Sequence, residues 1–185
     1  AGPVGLFTVF EAGLLGLKCH LVDNLDKIGG QCIELYPEKP IYDIPGVPNQ
    51  TGKEHIDSLL KQIEPFDYEV HLNQRVDKIE QSGDHWIAET TDGISFKTLN
   101  IFIAAGAGSF EPRKPPVESP DKFLGKGIDY AVRSVDKYKD KDIVIFGGGD
   151  SALDWSVELA NKAKSIKLVH RRDDFRGAEH TENKM

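Results

Sequence analysis

Hydrophobic and polar positions along the chain predict the same short arrangement twice. Apolar residues cover nearly every face of residues 3–17, which indicates a helix packed against a sheet and its neighbours. The apolar run Cys19–Asp23 follows it and predicts a buried strand. Near the other end, Ile143–Phe146, Ser151–Lys162 and Ile166–His170 have the patterns of a strand, a helix and a strand. A glycine-rich turn precedes each helix, so we predict an internal repeat of an α/β unit.

The segment between the two copies is mixed in character. Residues 24–50 are rich in glycine and proline, and irregular stretches of that length inside a domain are usually functional. Apolar residues at helical spacing predict a helix over residues 52–64. The pattern predicts strands over five further segments: Tyr68–Leu72, Val76–Gln81, His85–Thr90, Ile94–Lys97 and Leu99–Ala104. A group of prolines then indicates a linker over residues 111–120.

Composition narrows the classes of protein to which the chain could belong. Hydrophobic residues make up 39% and charged residues 29% of the 185 residues, as in globular proteins. The net charge of −7 argues against general nucleic-acid binding. No apolar run is long enough to cross a bilayer. The spacing of Cys19 and Cys32 fits neither a redox pair nor a zinc site, so we expect two reduced thiols in a cytoplasmic protein and no metal ligands.

The first glycine turn has the sequence A-G-P-V-G over residues 1–5 and matches the end of a dinucleotide-binding G-x-G-x-x-G pattern. In that pattern Gly2 lets the backbone approach a diphosphate, and Gly5, after Pro3 and Val4, lets the helix pack closely on a strand. The helix N-terminus favours the negative charge. Asp23 lies at the end of the next predicted strand, where a carboxylate accepts hydrogen bonds from a ribose diol and repels a 2′-phosphate.

The second glycine turn, G-G-G-D-S-A, follows the predicted strand that ends at Phe146. Its candidate binding residues are Gly147, Gly149, Asp150 and Ser151. The position that is an acid in the first copy is here His170, which opens a basic cluster. The basic candidates are Arg171, Arg172 and Arg176. Because two adjacent guanidiniums can bind a phosphate through charge-assisted hydrogen bonds, the sequence predicts FAD or NAD at the first turn and NADP at the second.

Either motif alone would be weak evidence, since glycines also form ordinary turns and Arg-Arg pairs are most often solvated. Two motifs in the same context, each with a chemically suitable partner at the same offset, favour two dinucleotide sites. The predicted fold class is α/β, with two Rossmann-type dinucleotide-binding domains over residues 1–110 and 111–185. Because the first motif lacks a preceding strand and the last segment stops early, we expect both domains to be incomplete and the chain to be truncated at both ends.

Taken together, the motifs resemble those of the thioredoxin-reductase-like flavoproteins, over essentially the whole chain. The resemblance rests on the first turn with its acid, GGQ at 29–31, AAGAG at 104–108, and GGGDSA followed by HRRDDFRG. Thioredoxin reductases carry a CxxC just before the second glycine turn, whereas residues 127–146 contain no cysteine. Without a thiolate, dithiol exchange cannot reduce a disulfide. The segment GGQCIELYPEKPIYDIPG is similar instead to the bacterial thioredoxin-reductase-like ferredoxin–NADP reductases, which lack the dithiol.

The resemblance implies an FAD-binding domain over residues 1–110 and roles for several of its residues. Asp23 would bind the ribose, and Gly30 and Gln31 would contact the flavin nucleotide. Tyr36 would lie against the isoalloxazine ring, Val76 would meet the adenine through its backbone, and Phe110 would lie near the flavin. From the residues alone, the two aromatic residues and the valine are more often packing residues, and Gln31 is more often a surface polar group.

The resemblance also implies a reaction in which NADPH reduces the flavin and the flavin passes single electrons to a ferredoxin or flavodoxin. No side-chain acid or nucleophile is needed, so no catalytic residue is expected. Residues 111–120 are a candidate hinge for the NADPH-binding domain, and the full-length protein is expected to be a homodimer. Residues 162–185 carry seven Lys or Arg against four Asp or Glu, which could steer an acidic partner.

Two alternatives stay open at this point. One is a thioredoxin-reductase-like disulfide reductase, and the other is a non-catalytic nucleotide-binding fragment, which the incomplete ends suggest. The family closes its flavin site with a later segment that carries a Gly-Asp motif, and nothing similar occurs in this sequence. On that ground we expect the chain alone to bind FAD weakly or not at all.

Overall fold

The computed structural model of the chain describes residues 1–108 and 114–185. These residues form two compact units, Ala1–Arg133 and Ser134–Met185. The units therefore divide after the proline-rich segment, whereas the pattern predicts a domain boundary at 110/111. Arg133 ties the end of the first unit to its body, because its Nε donates a 3.3 Å hydrogen bond to the Glu34 carbonyl and its guanidinium pairs with the Glu34 carboxylate.

The first unit combines two main helices with short sheets. Its helices and strands, in chain order, are α1 (Pro3–Leu14), β1 (Cys19–Val22), α2 (Gln31–Glu34), β2 (Pro40–Ile41), β3 (Gln50–Thr51), α3 (Gly52–Ile63), β4 (Tyr68–His71), β5 (Val76–Ser82), β6 (His85–Thr90) and β7 (Ser95–Thr98). A 3₁₀ helix follows at Pro120–Phe123. Strands β1 and β4 pair in parallel, β2 and β3 pair antiparallel, and β5–β6–β7 form an antiparallel meander.

Helices α1 and α3 enclose the core of the first unit. Leu6 and Val9 of α1 are buried together with Ile56, Leu59 and Ile63 of α3. Burying a side chain of this size stabilises the fold by about 1.5–3 kcal/mol. Cys19 and Leu21 of β1 and Tyr68 of β4 pack against this core.

Helix α1 is shorter than the predicted 3–17, because Gly16 ends it. Gly16 has φ +71°, and its N–H donates to the Gly13 carbonyl at 2.9 Å. The N–H of Leu17 donates to the Ala12 carbonyl at 3.0 Å. This pair of bonds is the Schellman motif, which closes a helix where a left-handed residue follows it.

Helix α3 begins at a capping box, as its pattern allows. The Thr51 hydroxyl accepts from the Glu54 N–H at 3.1 Å, and the Glu54 carboxylate accepts from the Thr51 N–H at 2.7 Å. The bond from the Thr51 backbone holds the pKa of Glu54 below its ordinary value. The cap fixes the residue at which α3 starts and so the face that it buries.

The second unit is one βαβ arrangement. Its elements are a 3₁₀ helix at Val135–Tyr138, then β8 (Asp142–Phe146), α4 (Asp150–Leu159), β9 (Ser165–Val169) and a short α5 (Glu179–Glu182). Strands β8 and β9 pair in parallel over five residues each. Leu153 and Leu159 of α4 are buried. The predicted strand–turn–helix–strand order is confirmed in this unit.

Two sequence expectations are wrong in detail. Residues 24–50 are not wholly irregular, because the short α2 and the two-residue strands β2 and β3 interrupt them. Residues 99–104, predicted as a strand, form none, and within the described ranges no strand pairs with them. A strand needs the N–H and C=O groups of a neighbour, and an apolar run alone does not supply them. Ile103 is accordingly 80% exposed.

No helix within residues 1–108 or 114–185 is both long enough and apolar enough to cross a membrane.

Removing the cap of α3 tests its role. Thr51→Ala is expected to lower the free energy of unfolding by about 1 kcal/mol, because the Glu54 N–H loses its acceptor. The measurement is urea unfolding followed by circular dichroism. Thr91→Ala, an exposed threonine in the β6–β7 turn, is the control and should change stability by less than about 0.5 kcal/mol. Equal effects of the two substitutions would contradict the assignment.

Candidate functional site

The first glycine turn lies against two later segments of the chain. Gly2 is the residue before α1, with extended backbone at φ −79° and ψ −176°. The Ala1 carbonyl accepts the Gly29 N–H at 2.8 Å, and the Ala1 nitrogen contacts the Asp23 carboxylate. The structure therefore brings the turn, the predicted ribose ligand and the GGQ segment together.

Gly2 and Gly30 approach each other more closely than any side chain would allow. Gly30 has φ +54° and ψ −139°, and a Cβ on it would lie 2.8 Å from the Gly2 Cα. At Gly2, by contrast, a Cβ would meet only Gly30, at an ordinary 3.7 Å. The protein's own contacts therefore require glycine at position 30 and leave open space beside position 2.

Helix α1 packs closely on the sheet through the third position of the turn. A Cβ on Gly5 would lie 3.4 Å from Leu21 of β1 and 3.9 Å from Ala104. Gly5 is itself buried. The predicted role of this glycine in close helix–strand packing is in keeping with these distances.

Asp23 is held at the end of β1 by backbone bonds on both sides. Its N–H donates to the His71 carbonyl at 2.9 Å, and its carbonyl accepts the Gln74 N–H at 2.8 Å. Its Oδ1 accepts the Leu25 N–H at 2.9 Å. The bond from Gln74 joins the chain just before β5 to Asp23, and Val76, the first residue of β5, is exposed.

Gln31 and Tyr36 occupy the short helix α2 and the residues after it. A Cβ on Gly106 would lie 3.9 Å from the Gln31 Nε2, so AAGAG comes beside the GGQ segment. Tyr36 packs against the core, and burial raises its pKa to about 12. Its phenol therefore stays neutral at physiological pH. The structure places Tyr36 at the edge of the core, in keeping with a packing role. Its contact with the flavin stays a prediction.

Burial also raises the pKa of the Cys32 thiol, which lies 4.0 Å from the Tyr36 hydroxyl. The pKa of Cys19 is raised by burial as well. Both cysteines are free thiols. Neither environment favours the thiolate that dithiol chemistry needs.

The second glycine turn is built differently from the first. Gly147 has φ +155°, and a Cβ on it would lie 2.9 Å from the Ala152 Cβ. A Cβ on Gly148 would meet the His170 ring at 2.3 Å. At Gly149, the residue before α4, a Cβ would meet nothing within 4 Å. The turn is closed on one side by the protein and open at the helix N-terminus.

The basic segment folds back onto this turn. The Arg176 N–H donates to the Gly148 carbonyl at 2.7 Å, and the Ala178 N–H donates to the Asp150 Oδ1 at 2.8 Å. Gly177 packs closely against Leu153, because a Cβ on Gly177 would lie 2.3 Å from the Leu153 Cδ1. The chain therefore returns to the mouth of the turn after the two arginines.

Arg171, Arg172 and Arg176 have exposed side chains, as does Ser151 at the second position of α4. The His170 ring stacks on Phe175 at 5.6 Å between centroids. Within the described residues, its Nε2 is buried without a hydrogen-bond partner. An orphaned buried nitrogen beside an open helix N-terminus fits a polar group that the protein itself does not supply.

Gly148 and His170 meet at this turn but were not among the predicted binding residues, although His170 opens the predicted basic cluster. The middle glycine of G-G-G was the available signal. A side chain that packs across the turn, as His170 does, leaves no room for a Cβ at that position. Phe110, predicted near the flavin, lies outside the described residues, and its role stays a prediction.

Residues 36–184 match the model of a family described as pyridine nucleotide-disulphide oxidoreductase. The chain belongs to the pyridine nucleotide-disulphide oxidoreductase family. This family assignment and the α/β fold confirm the sequence expectation for the fold class.

Curated relatives within this family are named ferredoxin–NADP reductase. The protein of that name from Bradyrhizobium sp. (strain BTAi1) is 55% identical over 186 aligned residues, and that from Rhodopseudomonas palustris (strain BisB18) is also 55% identical. Each alignment covers 100% of this chain and 54% of the relative. The chain therefore spans about half the length of the relatives it matches. These matches confirm the resemblance stated from the motifs.

Among solved structures, the chain is similar to the thioredoxin reductase of Lactococcus lactis in its FR conformation. The TM-score is 0.83 at 25% identity, over 98% of this chain and 57% of that one. The fold is thus shared with a thioredoxin reductase. The fold alone therefore does not distinguish thioredoxin reductases from ferredoxin–NADP reductases.

Replacing Gly30 tests the close approach in the first site. Gly30→Ala is expected to destabilise the protein by several kcal/mol, because the new Cβ would meet the Gly2 backbone at 2.8 Å in addition to straining φ. Gly46→Ala is the matched control, since Gly46 has φ +80° and open space around it. It should cost only about 1–2 kcal/mol. The measurement is chemical unfolding, and equal losses would show that the approach is not tight.

Proposed function

We propose that this chain is part of an FAD-dependent ferredoxin–NADP reductase, in which the first unit binds FAD and the second binds NADPH. The observation that carries the proposal is the pair of glycine turns with opposite partners. The first turn contacts the carboxylate of Asp23, and the second is followed by a strand that ends in a basic segment. Identity of 55% to proteins named ferredoxin–NADP reductase supports it.

The first site fits a nucleotide with a free ribose. The N-terminus of the 12-residue helix α1 presents unpaired N–H groups to the space beside Gly2. Asp23 offers carboxylate oxygens next to that space and would exclude a 2′-phosphate by charge. Gly30 and Gln31 would line the same cradle, and Pro3 removes one N–H at a position where a helix does not need it.

The second site fits a nucleotide that carries an extra phosphate. Gly149, Asp150 and Ser151 form the N-terminal end of α4, where a diphosphate would bind. The side chains of Arg171 and Arg172 are free to fork a 2′-phosphate from the segment that follows β9. Arg176 would contribute further positive charge, since its backbone is fixed to Gly148.

The proposed activity requires that the protein position the two nucleotides, and it requires no side-chain acid or nucleophile. When bound, the flavin would accept a hydride from NADPH and release electrons one at a time. The residues of this chain would bind and orient the two nucleotides. A disulfide-reductase activity is disfavoured, because residues 127–146, just before the second turn, contain no cysteine. The two thiols of the chain, Cys19 and Cys32, have raised pKa values.

The name of the relatives points to ferredoxin as the partner, and flavodoxin is the alternative acceptor. The free thiols are in keeping with a cytoplasmic enzyme. A homodimeric full-length protein, a domain boundary at 110/111 and a hinge over residues 111–120 complete the proposal.

The arginine pair gives a direct test of the NADPH assignment. Arg171→Ala with Arg172→Ala is expected to lower kcat/KM for NADPH by roughly a hundredfold or more, because two charged hydrogen bonds to a phosphate are lost and each is worth about 1.5–3 kcal/mol. The value for NADH should change little. Reduction of ferricyanide measures both without any protein partner. Arg75→Ala, which removes an exposed arginine from the other unit, is the control. Equal losses with both nucleotides would overturn the assignment.

The carboxylate of the first site is tested by flavin content. Asp23→Asn should weaken flavin binding about tenfold or more, because a neutral amide replaces the carboxylate that would accept from the ribose. Flavin absorbance per protein after dialysis measures the effect, with the exposed Asp26→Asn as the control. If the unchanged full-length protein could not be loaded with flavin at all, a non-catalytic nucleotide-binding module would replace the proposed reductase.

A further inference from the structure

A second constellation of polar side chains lies apart from both glycine turns, on strands β1 and β4. His20 of β1 is in register with Glu69 of β4, and His71 follows two residues later. Since alternate residues of a strand face the same side, all three side chains share one face of the parallel pair. The opposite face carries Cys19, which packs on the core.

The three side chains converge on a small volume. The His20 Nδ1 lies 3.0 Å from the His71 Nε2. The Glu69 Oε2 lies 3.8 Å from the first of these nitrogens and 3.9 Å from the second. All three donor atoms thus lie within 4.8 Å of one another.

These separations fit ligation of a single ion. Zinc binds imidazole nitrogen and carboxylate oxygen at about 2.0–2.2 Å, so two donors on one ion are at most about 4.2–4.4 Å apart. Each of the three measured distances is below that limit. Two imidazoles with one carboxylate form a donor set that proteins use for zinc and for iron(II), whereas magnesium and calcium prefer oxygen ligands.

We propose that His20, Glu69 and His71 form a binding site for a divalent transition-metal ion of the zinc class. The ion would bridge β1 to β4, with solvent in its remaining coordination positions. The neutral imidazoles would carry their protons on the nitrogens that face away, the Nε2 of His20 and the Nδ1 of His71.

The surroundings of the three residues are compatible with an ion. Lys18 pairs with the other carboxylate oxygen of Glu69, Oε1, at 2.6 Å, which leaves Oε2 directed at the imidazoles. The ring of Phe96 on β7 lies edge-on to His71 at 4.8 Å between centroids and 5.7 Å from His20. The side chains of His20 and His71 are 43% and 24% exposed, so an ion can enter from solvent.

A bound ion would stabilise the folded state, because the unfolded chain does not hold the three ligands together. It would act on the position of β4 relative to β1, and the Asp23 N–H bonds the carbonyl of His71 itself. The site would thus fix the strand ends that carry the carboxylate of the first nucleotide turn. Its existence does not depend on which nucleotides the two turns bind.

The test is a zinc titration of the full-length protein, freed of metal by chelation and with its cysteines alkylated. Competition against a chromophoric zinc indicator should show one equivalent bound. His20→Ala and His71→Ala should each weaken binding by more than tenfold, since loss of a supporting second-shell partner alone typically costs about 10–100-fold. His180→Ala, an exposed histidine in the second unit, is the matched control and should bind as the unchanged protein does.

Thermal unfolding gives a readout that does not depend on the indicator. Zinc should raise the unfolding midpoint of the unchanged protein and of Glu69→Asp, while Mg²⁺ should not. Zinc should leave the midpoint of the His20→Gln/His71→Gln double variant unchanged, and circular dichroism checks that this variant is folded. No stoichiometric zinc in the unchanged protein, or equal affinity in the histidine variants, would show a hydrogen-bonded imidazole pair instead and overturn the proposal.

Discussion

The close approach of two backbones, at Gly2 and Gly30, is the constraint on which the first candidate site depends. It brings the residue before α1 against the GGQ segment, and the bond between Gly29 and Ala1 holds the two together. Any side chain at position 30 would push the segments apart. The N-terminus of α1, the Asp23 carboxylate and the GGQ segment would then no longer lie together. A single steric requirement therefore holds together residues far apart in sequence.

In the second unit, different contacts hold the glycine turn against a later segment of the chain. There a histidine ring lies across Gly148 where the first unit has a glycine, and the basic segment is fixed by Arg176 and Ala178. Both turns remain open at the helix N-terminus, where negative charge is favoured. What differs is the charge of the neighbouring segment. In the proposed function, the charge of the segment next to each turn determines which of two related nucleotides binds there.

The sequence predicted most of this arrangement, because glycine turns and apolar strands have strong local signals. The start of α3 was predicted from the apolar spacing over residues 52–64, and the parallel order in the second unit from its βαβ pattern. The strand predicted over residues 99–104 is wrong, because strand formation depends on a partner and apolar character does not reveal one. The sequence did not predict the His20–Glu69–His71 group, because its members lie on two strands that are far apart in the chain. Their i, i+2 spacing on one strand was the signal available.

The burial of Cys32 has a consequence for electron transfer. A protonated thiol reacts slowly with disulfides and peroxides, and the core around Cys32 keeps it in that form. In the proposed reductase, the Cys32 sulfur, next to the GGQ segment, would therefore stay unreactive. The reduced flavin would then not lose electrons to this sulfur, and the electrons would stay on the flavin until an acceptor protein binds.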